Sequence, residues 1–298
     1  MKHFLSLEEQ RTEDFEAILD LADKLKAERT NTTFRPLANQ TWAMIFSKSS
    51  TRTRVSFEVG VRELGGQVLF LTANDMQLGR GEPIKDTARV LGRMVHGAII
   101  RTYAHQDVVD FAAYSMIPTV NALTDHAHPC QIVADLMTIR EKLGCIKGKV
   151  VTFVGDGACN VATSWVFASI KLGFELRIAS PKAFFPAKSL IEKTGSNVIV
   201  TQDLEAAVEG SDVLYTDVWV SMGKEEESKS RLEMFKGYQI NTPLMAKANP
   251  DALLMHCLPA YRGKEVSEEA LEEHSTTIFD QAENRLHAQK AIMSWLVE

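Results

Sequence analysis

The chain has 298 residues, which is about two typical domain lengths and enough to bury a substantial core. Its composition, 45% hydrophobic and 24% charged, is that of a globular protein and argues against disorder and low complexity. The formal net charge of -6 excludes the broad basic surface that nucleic-acid binding needs, so an anionic ligand would require a local basic site.

The sequence offers neither a membrane span nor a secretory signal. No apolar run approaches roughly 18 residues, and Glu8, Glu9 and Arg11 follow the first residues closely. The four cysteines are scattered rather than densely spaced, which favours reduced thiols. We therefore expect a cytoplasmic protein with no membrane partner.

Short apolar, β-branched runs alternate with helical patterns in two series, and this alternation predicts parallel sheets covered by helices. The first series predicts strands at Thr41–Phe46, Gln67–Leu71, Ala98–Arg101 and Ile117–Leu123. The second predicts strands at Lys149–Val154, Glu175–Ala179, Asn197–Val200, Asp212–Thr216 and Ala252–His256. Amphipathic patterns predict helices at Phe4–Thr30, Gln131–Leu143 and Glu283–Val297.

The predicted fold class is α/β, with two Rossmann-like three-layer domains, each a parallel sheet flanked by helices, joined by interdomain helices. We expect the first domain to comprise residues 1–130 and the second residues 131–282. The closing helix 283–298 is expected to pack back on the first domain.

The segment Ser50-Thr51-Arg52-Thr53-Arg54 follows the first predicted strand and opens a helical pattern. Helix N-termini carry unpaired amides and partial positive charge, and hydroxyl and guanidinium groups add donors, so this pattern favours a phosphate site. An N-cap with surface arginines is the structural alternative.

Polar residues also stand where other strands end. Arg101 closes one predicted strand, and His128-Pro129-Cys130-Gln131 lies where another should turn into a helix, offering groups that could polarise a carbonyl. Asp217 follows a later strand and could hold an amine. His256-Cys257-Leu258-Pro259 ends the last one. Capping roles and a buried, apolar cysteine remain the alternatives.

Two other functional patterns are weaker. The turn Gly155-Asp156-Gly157 is half of a dinucleotide fingerprint, but Asn160 replaces the third glycine and the next strand ends in Ser180-Pro181 instead of a ribose-binding acid. The pairs His128/Cys130 and His256/Cys257 lack the usual spacing of zinc ligands. The charge run Lys224–Lys229 is typical of a solvated loop or helix face, with a covering loop as the alternative.

Four motifs occur in order across more than 200 residues: Ser-Thr-Arg-Thr-Arg at 50–54, His-Pro-Cys-Gln at 128–131, Asp-x-x-x-Ser-Met-Gly at 217–223 and His-Cys-Leu-Pro at 256–259. Together with Lys85–Leu91 and Glu283-Asn284-Arg285, they make the chain resemble the ornithine carbamoyltransferases. The resemblance implies transfer of the carbamoyl group of carbamoyl phosphate to the side-chain amine of ornithine, giving citrulline and phosphate. It implies no metal or organic cofactor.

The resemblance also assigns site residues, motif by motif. The residues implied for carbamoyl phosphate are Ser50, Thr51, Arg52, Thr53, Gln77, Arg101, His128, Pro129, Cys130, Gln131, Cys257, Leu258 and Arg285. Those implied for ornithine are Asn160, Asp217, Ser221 and Met222. Arg101 and Cys257 are the implied catalytic residues, and Gln77 is implied to enter a neighbouring subunit's site, which means a homotrimer.

This sequence departs from the family pattern in two places. Cys159 stands where the family commonly has the first of two asparagines, and Ser47 stands where an acidic residue often precedes the phosphate motif. Within the superfamily, an aspartate carbamoyltransferase would normally carry His-Pro-Leu-Pro instead of His-Cys-Leu-Pro. Enzymes for putrescine or N-acylated ornithine are nearer alternatives, and a nicotinamide dehydrogenase and a non-catalytic subunit represent other classes. We expect a role in arginine metabolism, with biosynthesis as the favoured direction and breakdown as the alternative.

Overall fold

The computed structural model describes residues 1–31, 33–72, 76, 81–220 and 228–298. It divides into two compact units, Met1–Met137 with Glu283–Glu298, and Thr138–Ala282. The first division, after Met137, falls within the helix Pro129–Leu143. The predicted boundary, after residue 130, falls within the same helix. The second division falls within the last helix, Ser275–Val297.

Strands and helices alternate along most of the chain. The strands are β1 Thr41–Phe46, β2 Gln67–Thr72, β3 Gly97–Arg101, β4 Thr119–Leu123, β5 Val150–Val154, β6 Glu175–Ala179, β7 Val198–Thr201, β8 Val213–Thr216 and β9 Leu253–His256. The helices are α1 Thr12–Ala27, α2 Thr51–Glu63, α3 Ile84–Leu91, α4 His105–Ser115, α5 Pro129–Leu143, α6 Asn160–Leu172, α7 Lys188–Ile191, α8 Leu204–Val208, α9 Ser228–Met234, α10 Thr242–Met245, α11 Glu268–Glu273 and α12 Ser275–Val297.

Each unit is built on a parallel sheet. The first sheet has the order β2-β1-β3-β4 and the second the order β7-β6-β5-β8-β9, with parallel pairing throughout. Strand order changes direction beside β1 in the first sheet and beside β5 in the second. In open α/β sheets, ligands bind beyond the carboxyl ends of the strands at such switch points.

The two cores are formed by apolar residues that the strands and helices bury. In the first unit Trp42, Phe57 and Phe111 are fully buried. In the second, the Trp165 ring packs edge-on against Tyr215, with ring centroids 5.3 Å apart. Burying each large apolar side chain contributes about 1.5–3 kcal/mol, so these cores dominate the stability of the sheets. None of the described helices has the length and apolar character required to cross a membrane.

The beginning of the chain differs from the sequence-based prediction of a helix over Phe4–Thr30. Only Thr12–Ala27 is helical. Phe4 instead forms a parallel bridge to Val120 beside β4 and is fully buried. Its amide donates to the Thr119 carbonyl at 2.9 Å, so backbone pairing at the sheet edge replaces the first turns of the predicted helix.

Candidate active site

The Ser50–Thr53 segment forms the N-terminus of α2, as predicted. β1 ends at Phe46 and the helix begins at Thr51. Ser50 is the N-cap, and its Oγ accepts a hydrogen bond from the Thr53 amide at 3.2 Å and donates one to Thr53 Oγ1 at 2.9 Å. The capping interpretation is therefore correct for Ser50, but Arg52 is partly buried and is not a surface arginine.

A cavity of about 440 Å³ lies at the carboxyl ends of β1 and β2, against the first turn of α2. Its lining residues are Phe46, Ser47, Ser49, Ser50, Thr51, Arg54, Phe70 and Thr72. The Arg54 guanidinium lies 3.8 Å from the centre of the Phe70 ring, and this contact fixes its position at the cavity wall. The cavity combines hydroxyl groups, a helix N-terminus and a cation, which are the features that suit a phosphate.

Two buried guanidinium groups lie in the same unit. Arg101 closes β3, opposite Phe46 in the register, and its carbonyl accepts from the Ser47 amide at 2.8 Å. Arg285 donates through Nη2 to Thr53 Oγ1 at 2.6 Å. Arg101 is 5% exposed and Arg285 is 3% exposed. Buried positive charge of this kind favours an anion even in a chain of negative net charge.

His128 is buried in the same region. Burial lowers its pKa well below 6.5, and the charges of Arg285 and Arg101 lower the pKa further. The imidazole is therefore neutral near pH 7. A neutral imidazole can donate one hydrogen bond to a carbonyl oxygen without adding charge.

The remaining residues of that motif begin α5, with Pro129 in the first position. The Cys130 thiol donates to the Asn121 carbonyl at 3.4 Å, and burial raises its pKa to about 12, so it is a neutral core group. Gln131 donates through Nε2 to Asp135 Oδ1 at 2.8 Å. Its Oε1 is buried and has no hydrogen-bond partner among the residues described. That oxygen is available to accept from an amide group of a ligand.

Lys48 is a buried cation that sequence analysis did not select as a site residue. It is 7% exposed, forms an ion pair with Asp125, and its Nζ lies 4.2 Å from the centre of the Tyr103 ring. The sequence indicated its importance only by its position, since Lys48 lies between the end of β1 and the N-cap residue Ser50. It lies between two residues of the cavity lining, Ser47 and Ser49, and its charge is paired with that of Asp125.

In the second unit, the ends of three adjacent strands are aligned. Val154 on β5 pairs with Thr216 on β8, which in turn pairs with His256 on β9. The residues that follow β8 and β9, Asp217 and Cys257, are therefore neighbours. Cys257 Sγ donates to Asp217 Oδ1 at 3.1 Å, which confirms the prediction that both lie at the carboxyl edge of this sheet.

The Asp217 carboxyl is partly buried, and this burial raises its pKa above 3.8. Hydrogen bonds from the Cys257 thiol and the Val218 amide oppose this effect by stabilising the carboxylate. A partly desolvated carboxylate with spare acceptor capacity binds an ammonium group more strongly than an exposed one does.

A buried histidine and glutamate support the Cys257 turn. His256 Nδ1 accepts from the Leu258 amide at 2.8 Å, so its proton is on Nε2, which faces Glu265 Oε1 at 3.3 Å. Glu265 Oε1 also accepts from the Tyr261 amide, and both acidic and imidazole side chains are fully buried. Leu258 has φ +56°, a left-handed conformation that these hydrogen bonds hold.

Sequence analysis missed Glu265. It follows Arg262-Gly263-Lys264 in a charged stretch that is typical of a solvated loop. Only the tertiary structure shows its burial beside His256, so no signal in the sequence could have identified it.

The zinc alternative does not fit the structure. Among the described residues, ligand atoms of Asp217, His256 and Cys257 lie within 4.8 Å of one another. However, Nδ1 of His256 accepts from the Leu258 amide and Nε2 faces Glu265, so neither nitrogen is available to a metal. Cys130 bonds a backbone carbonyl in the first unit.

The Gly155–Gly157 turn leads into α6, as predicted. Gly155 has φ +139°, and a Cβ on Gly157 would lie 2.8 Å from Ile178 and 2.9 Å from the Phe184 carbonyl, so both positions require glycine. Asn160 is the first residue of α6 and is partly buried.

Cys159 occupies the N-cap position of α6, and its sulfur accepts from the Ala162 amide at 3.4 Å. Burial, followed by the charges of Asp217 and Asp156, raises the pKa of its thiol well above 9.0. The departure from the family pattern therefore leaves a capped helix and a neutral side chain.

Three of the predicted site residues, Gln77, Ser221 and Met222, lie outside the described residues. The same is true of Lys224 to Glu227 in the charge run, whereas α9 begins at Ser228.

Comparison with known proteins accounts for nearly all of the chain. Residues 2–141 match the family description "Aspartate/ornithine carbamoyltransferase, carbamoyl-P binding domain". Residues 147–296 match "Aspartate/ornithine carbamoyltransferase, Asp/Orn binding domain". The chain belongs to this family.

Relatives within the aspartate/ornithine carbamoyltransferase family match over their full length. The ornithine carbamoyltransferase of Akkermansia muciniphila is 52% identical, over 100% of this chain and 99% of that protein. The solved ornithine carbamoyltransferase of Pyrococcus furiosus is 45% identical, with a TM-score of 0.93 over 99% of this chain and 97% of that one. The anabolic ornithine carbamoyltransferase of Campylobacter jejuni is 43% identical, with a TM-score of 0.93 and 99% coverage of both chains.

Proposed function

We propose that this enzyme transfers the carbamoyl group of carbamoyl phosphate to the side-chain amine of L-ornithine, giving L-citrulline and phosphate. Family membership supports carbamoyl transfer, and relatives about half identical over the whole chain are named for ornithine. The observation that carries the choice of acceptor is the Asp217 carboxylate beside Cys257. It attracts an amino acid bearing two ammonium groups and disfavours aspartate, which carries an additional carboxylate.

Carbamoyl phosphate binds the first unit in this proposal. The phosphate accepts hydrogen bonds from the first turn of α2 and from the side chains of Ser50, Thr51, Arg52 and Thr53. Arg101 contacts both the phosphate and the carbonyl oxygen. His128, Gln131 and Arg285 hold the carbamoyl end, with the backbone of Pro129 and Cys130 completing the motif.

Ornithine binds the second unit. Asp217 pairs with its α-ammonium group, and Asn160, Ser221 and Met222 bind the rest of the amino-acid end. Cys257 positions the side-chain amine, and its backbone and that of Leu258 are the groups of the second unit that we assign to carbamoyl binding. The buried His256–Glu265 pair holds the turn that carries these groups.

The chemistry follows from these roles. The neutral side-chain amine attacks the carbonyl carbon of carbamoyl phosphate, so a carbon–nitrogen bond forms while the carbon–oxygen bond to phosphate breaks. Buried Arg101 and Arg285 stabilise the oxyanion and the departing phosphate, because charges act strongly in a desolvated site. The nitrogen loses one proton as this bond forms, and the departing phosphate takes it up. The Cys257 sulfur, which already carries its own hydrogen, accepts a hydrogen bond from the amine and orients it.

A homotrimer is part of the proposal. Val55 is 54% exposed and Leu69 is 42% exposed. Val55 follows Arg54 in α2 and Leu69 precedes Phe70 in β2, and both Arg54 and Phe70 line the phosphate cavity. Apolar side chains left in solvent beside a binding site favour coverage by another subunit. Gln77 of one subunit would then enter its neighbour's site. Sedimentation equilibrium should give three times the chain mass, and a Val55→Asp, Leu69→Lys double variant should sediment as a monomer.

We further propose an anabolic role in arginine biosynthesis, supported by the likeness to the anabolic enzyme of Campylobacter jejuni. Deleting the gene should then make growth dependent on added arginine or citrulline. Growth without either supplement would contradict the anabolic role and leave the reaction itself untouched.

The acceptor is tested directly by mixing the protein with carbamoyl phosphate and one candidate amine at a time. Ornithine, N-acetylornithine, putrescine and aspartate form a suitable set, with carbamoylated product measured in each case. We expect product from ornithine, since N-acetylation removes the charge that Asp217 pairs with and putrescine lacks the α-carboxylate. Product from putrescine or N-acetylornithine but not from ornithine would overturn the proposed acceptor.

A further inference from the structure

Arg231 in α9 is a buried guanidinium that the proposed mechanism does not use. It is 4% exposed, although α9 opens with Ser228-Lys229-Ser230 and carries the residues of a solvated helix. An unpaired guanidinium in a protein interior is costly, so its partners indicate why it is there.

The partners of Arg231 come from two different loops. Its Nη2 forms an ion pair with Asp156, whose carboxylate is 8% exposed. Its Nε donates to the carbonyl of Trp219 at 2.7 Å. Asp156 belongs to the glycine turn after β5, and Trp219 belongs to the segment after β8.

Aromatic rings hold the guanidinium plane in place. Its central carbon lies 4.5 Å from the centre of the Phe184 ring and 5.7 Å from that of Phe235. The Trp219 ring stacks on Phe235 with an interplanar angle of 12°. These ring contacts, together with its two hydrogen-bond partners, restrict where the guanidinium can lie and where its N–H groups point.

The two loops that Arg231 joins each carry a residue of the proposed ornithine site. Asn160 lies four residues after Asp156, at the start of the same turn's helix, and the Asp156 carboxylate accepts from the Ala158 amide at 3.0 Å. Asp217 lies two residues before Trp219. A single side chain therefore links the backbone that carries Asn160 to the backbone that carries Asp217.

We infer that Arg231 is a positioning residue for the amino-acid end of ornithine. By binding Asp156 and the Trp219 carbonyl together, it sets the separation of Asn160 and Asp217 and so the fit of the acceptor. This inference rests on the proposed function. It assigns Arg231 no contact with the substrate.

The test compares the steady-state kinetics of the wild-type enzyme with those of three variants. Arg231→Met with Asp156→Asn removes both charges together, which avoids leaving a buried carboxylate unpaired. Arg231→Lys keeps the charge but not the two-directional geometry. Asp212→Asn is the matched control, since Asp212 lies at the opposite edge of the same sheet, where it accepts from the amides of Val150 and Asn249.

The double variant should raise the KM for ornithine by roughly tenfold or more, since small displacements of binding groups have large kinetic effects. Its KM for carbamoyl phosphate should stay within about twofold of wild type. Arg231→Lys should be intermediate, and Asp212→Asn should lower the melting temperature without changing either KM.

An unchanged KM for ornithine in the double variant, or equal rises for both substrates, would overturn the positioning role and reduce Arg231 to a structural residue. If the double variant does not fold, Arg231→Lys decides the question by the same split between the two KM values. A wild-type enzyme that makes no citrulline would instead refute the proposed function, and the inference with it.

Discussion

Cys257 donates its thiol hydrogen to Oδ1 of Asp217 at 3.1 Å. The contact joins the ends of two adjacent strands, β9 and β8, whose register is fixed by the pairing of His256 with Thr216. The Cys257 thiol is suited to contact an amine that must lose a proton, and the Asp217 carboxylate is suited to bind an ammonium group that keeps its charge. The positions of the thiol and the carboxylate are therefore set by the ends of the two strands that carry them.

Replacing Cys257 by Ala should lower kcat more than it lowers stability. The thiol is only partly buried and leaves a small void, so the fold loses little, while the attacking amine loses its positioning group. We expect a fall in kcat of about 10²- to 10⁴-fold. Stopped-time assays of citrulline, with thermal melts as the control, measure both effects. A variant with normal turnover would remove the thiol from the mechanism.

The pH dependence of activity should report Asp217. Burial raises its pKa above 3.8, so on acidification the carboxylate is lost earlier than an exposed aspartate would be. The ratio kcat/KM for ornithine should therefore fall as pH falls through this raised pKa. Because the Cys257 hydrogen bond lowers that pKa, Cys257→Ala should move the acidic limb to higher pH. An unmoved limb would contradict the coupling.

The contribution of Asp217 to stability should change with pH in the direction opposite to its contribution to activity. When the pKa of a carboxyl is higher in the folded state than in the unfolded state, the protonated form stabilises the fold. This contribution to the free energy of unfolding is fully present below the unfolded-state pKa, and it is lost as the pH rises through the folded-state pKa. The gain in free energy of unfolding on changing Asp217 to Asn should thus grow from acidic to neutral pH. Urea titrations at a series of pH values measure it.

Asp217→Asn should weaken ornithine binding while sparing carbamoyl phosphate. Size and hydrogen bonding are largely kept, but the charge that pairs with the α-ammonium group is lost. Hydrogen bonds to charged groups contribute about 1.5–3 kcal/mol, which corresponds to roughly a 10- to 100-fold rise in the KM for ornithine. An equal effect on both substrates would contradict the assignment.

Arg52→Ala should abolish detectable binding of carbamoyl phosphate. Arg52 lies in the first turn of α2, where its charge adds to that of the helix N-terminus. Arg62 on the same helix is the matched control, since it is exposed and pairs with Glu58 at 2.7 Å. Isothermal titration should show normal affinity for Arg62→Ala, and unchanged affinity for Arg52→Ala would reject its role.

Gly97→Ala should destabilise the first unit. A Cβ at this position in β3 would lie 2.5 Å from the ring of Trp42, which is fully buried and cannot move aside. Overpacking of this kind costs about 1–3 kcal/mol. Gly60→Ala in α2 is the comparison, because its Cβ would meet only flexible side-chain atoms at 3.3 Å. Chemical denaturation should show a larger loss in the free energy of unfolding for Gly97→Ala than for Gly60→Ala.

The strands were predictable because each is a short apolar run closed by a turn. β1 and β6 have the predicted bounds, β7 is shifted by one residue at both ends, and each of the others differs by one or two residues at one end. The helix predicted over Phe4–Thr30 was partly wrong, since residues 4 to 11 carry apolar side chains at a spacing that also suits an edge of the sheet. Whether such a segment pairs with a strand or forms a helix depends on the strand available beside it. Here the Phe4 amide pairs with the Thr119 carbonyl of β4.

For the candidate site, the place of a residue in the fold was predictable where that residue ends a strand or begins a helix. Arg101, Asp217 and Cys257 lie at strand ends, and Ser50 caps α2. The supporting groups were not predictable. Glu265 and Arg231 come from charged stretches whose composition indicates solvent, and they are buried because partners distant in sequence pair with them.

The alignment of β5, β8 and β9 has a consequence for how such an enzyme could diverge. The pairing of β5, β8 and β9 is made by backbone groups and ends at Val154, Thr216 and His256, and the residues proposed to bind the acceptor lie just beyond it. Substitutions at positions 217 and 257 therefore leave the ladder intact. Lineages built on this scaffold can exchange one amine for another without first rebuilding the core that keeps them folded.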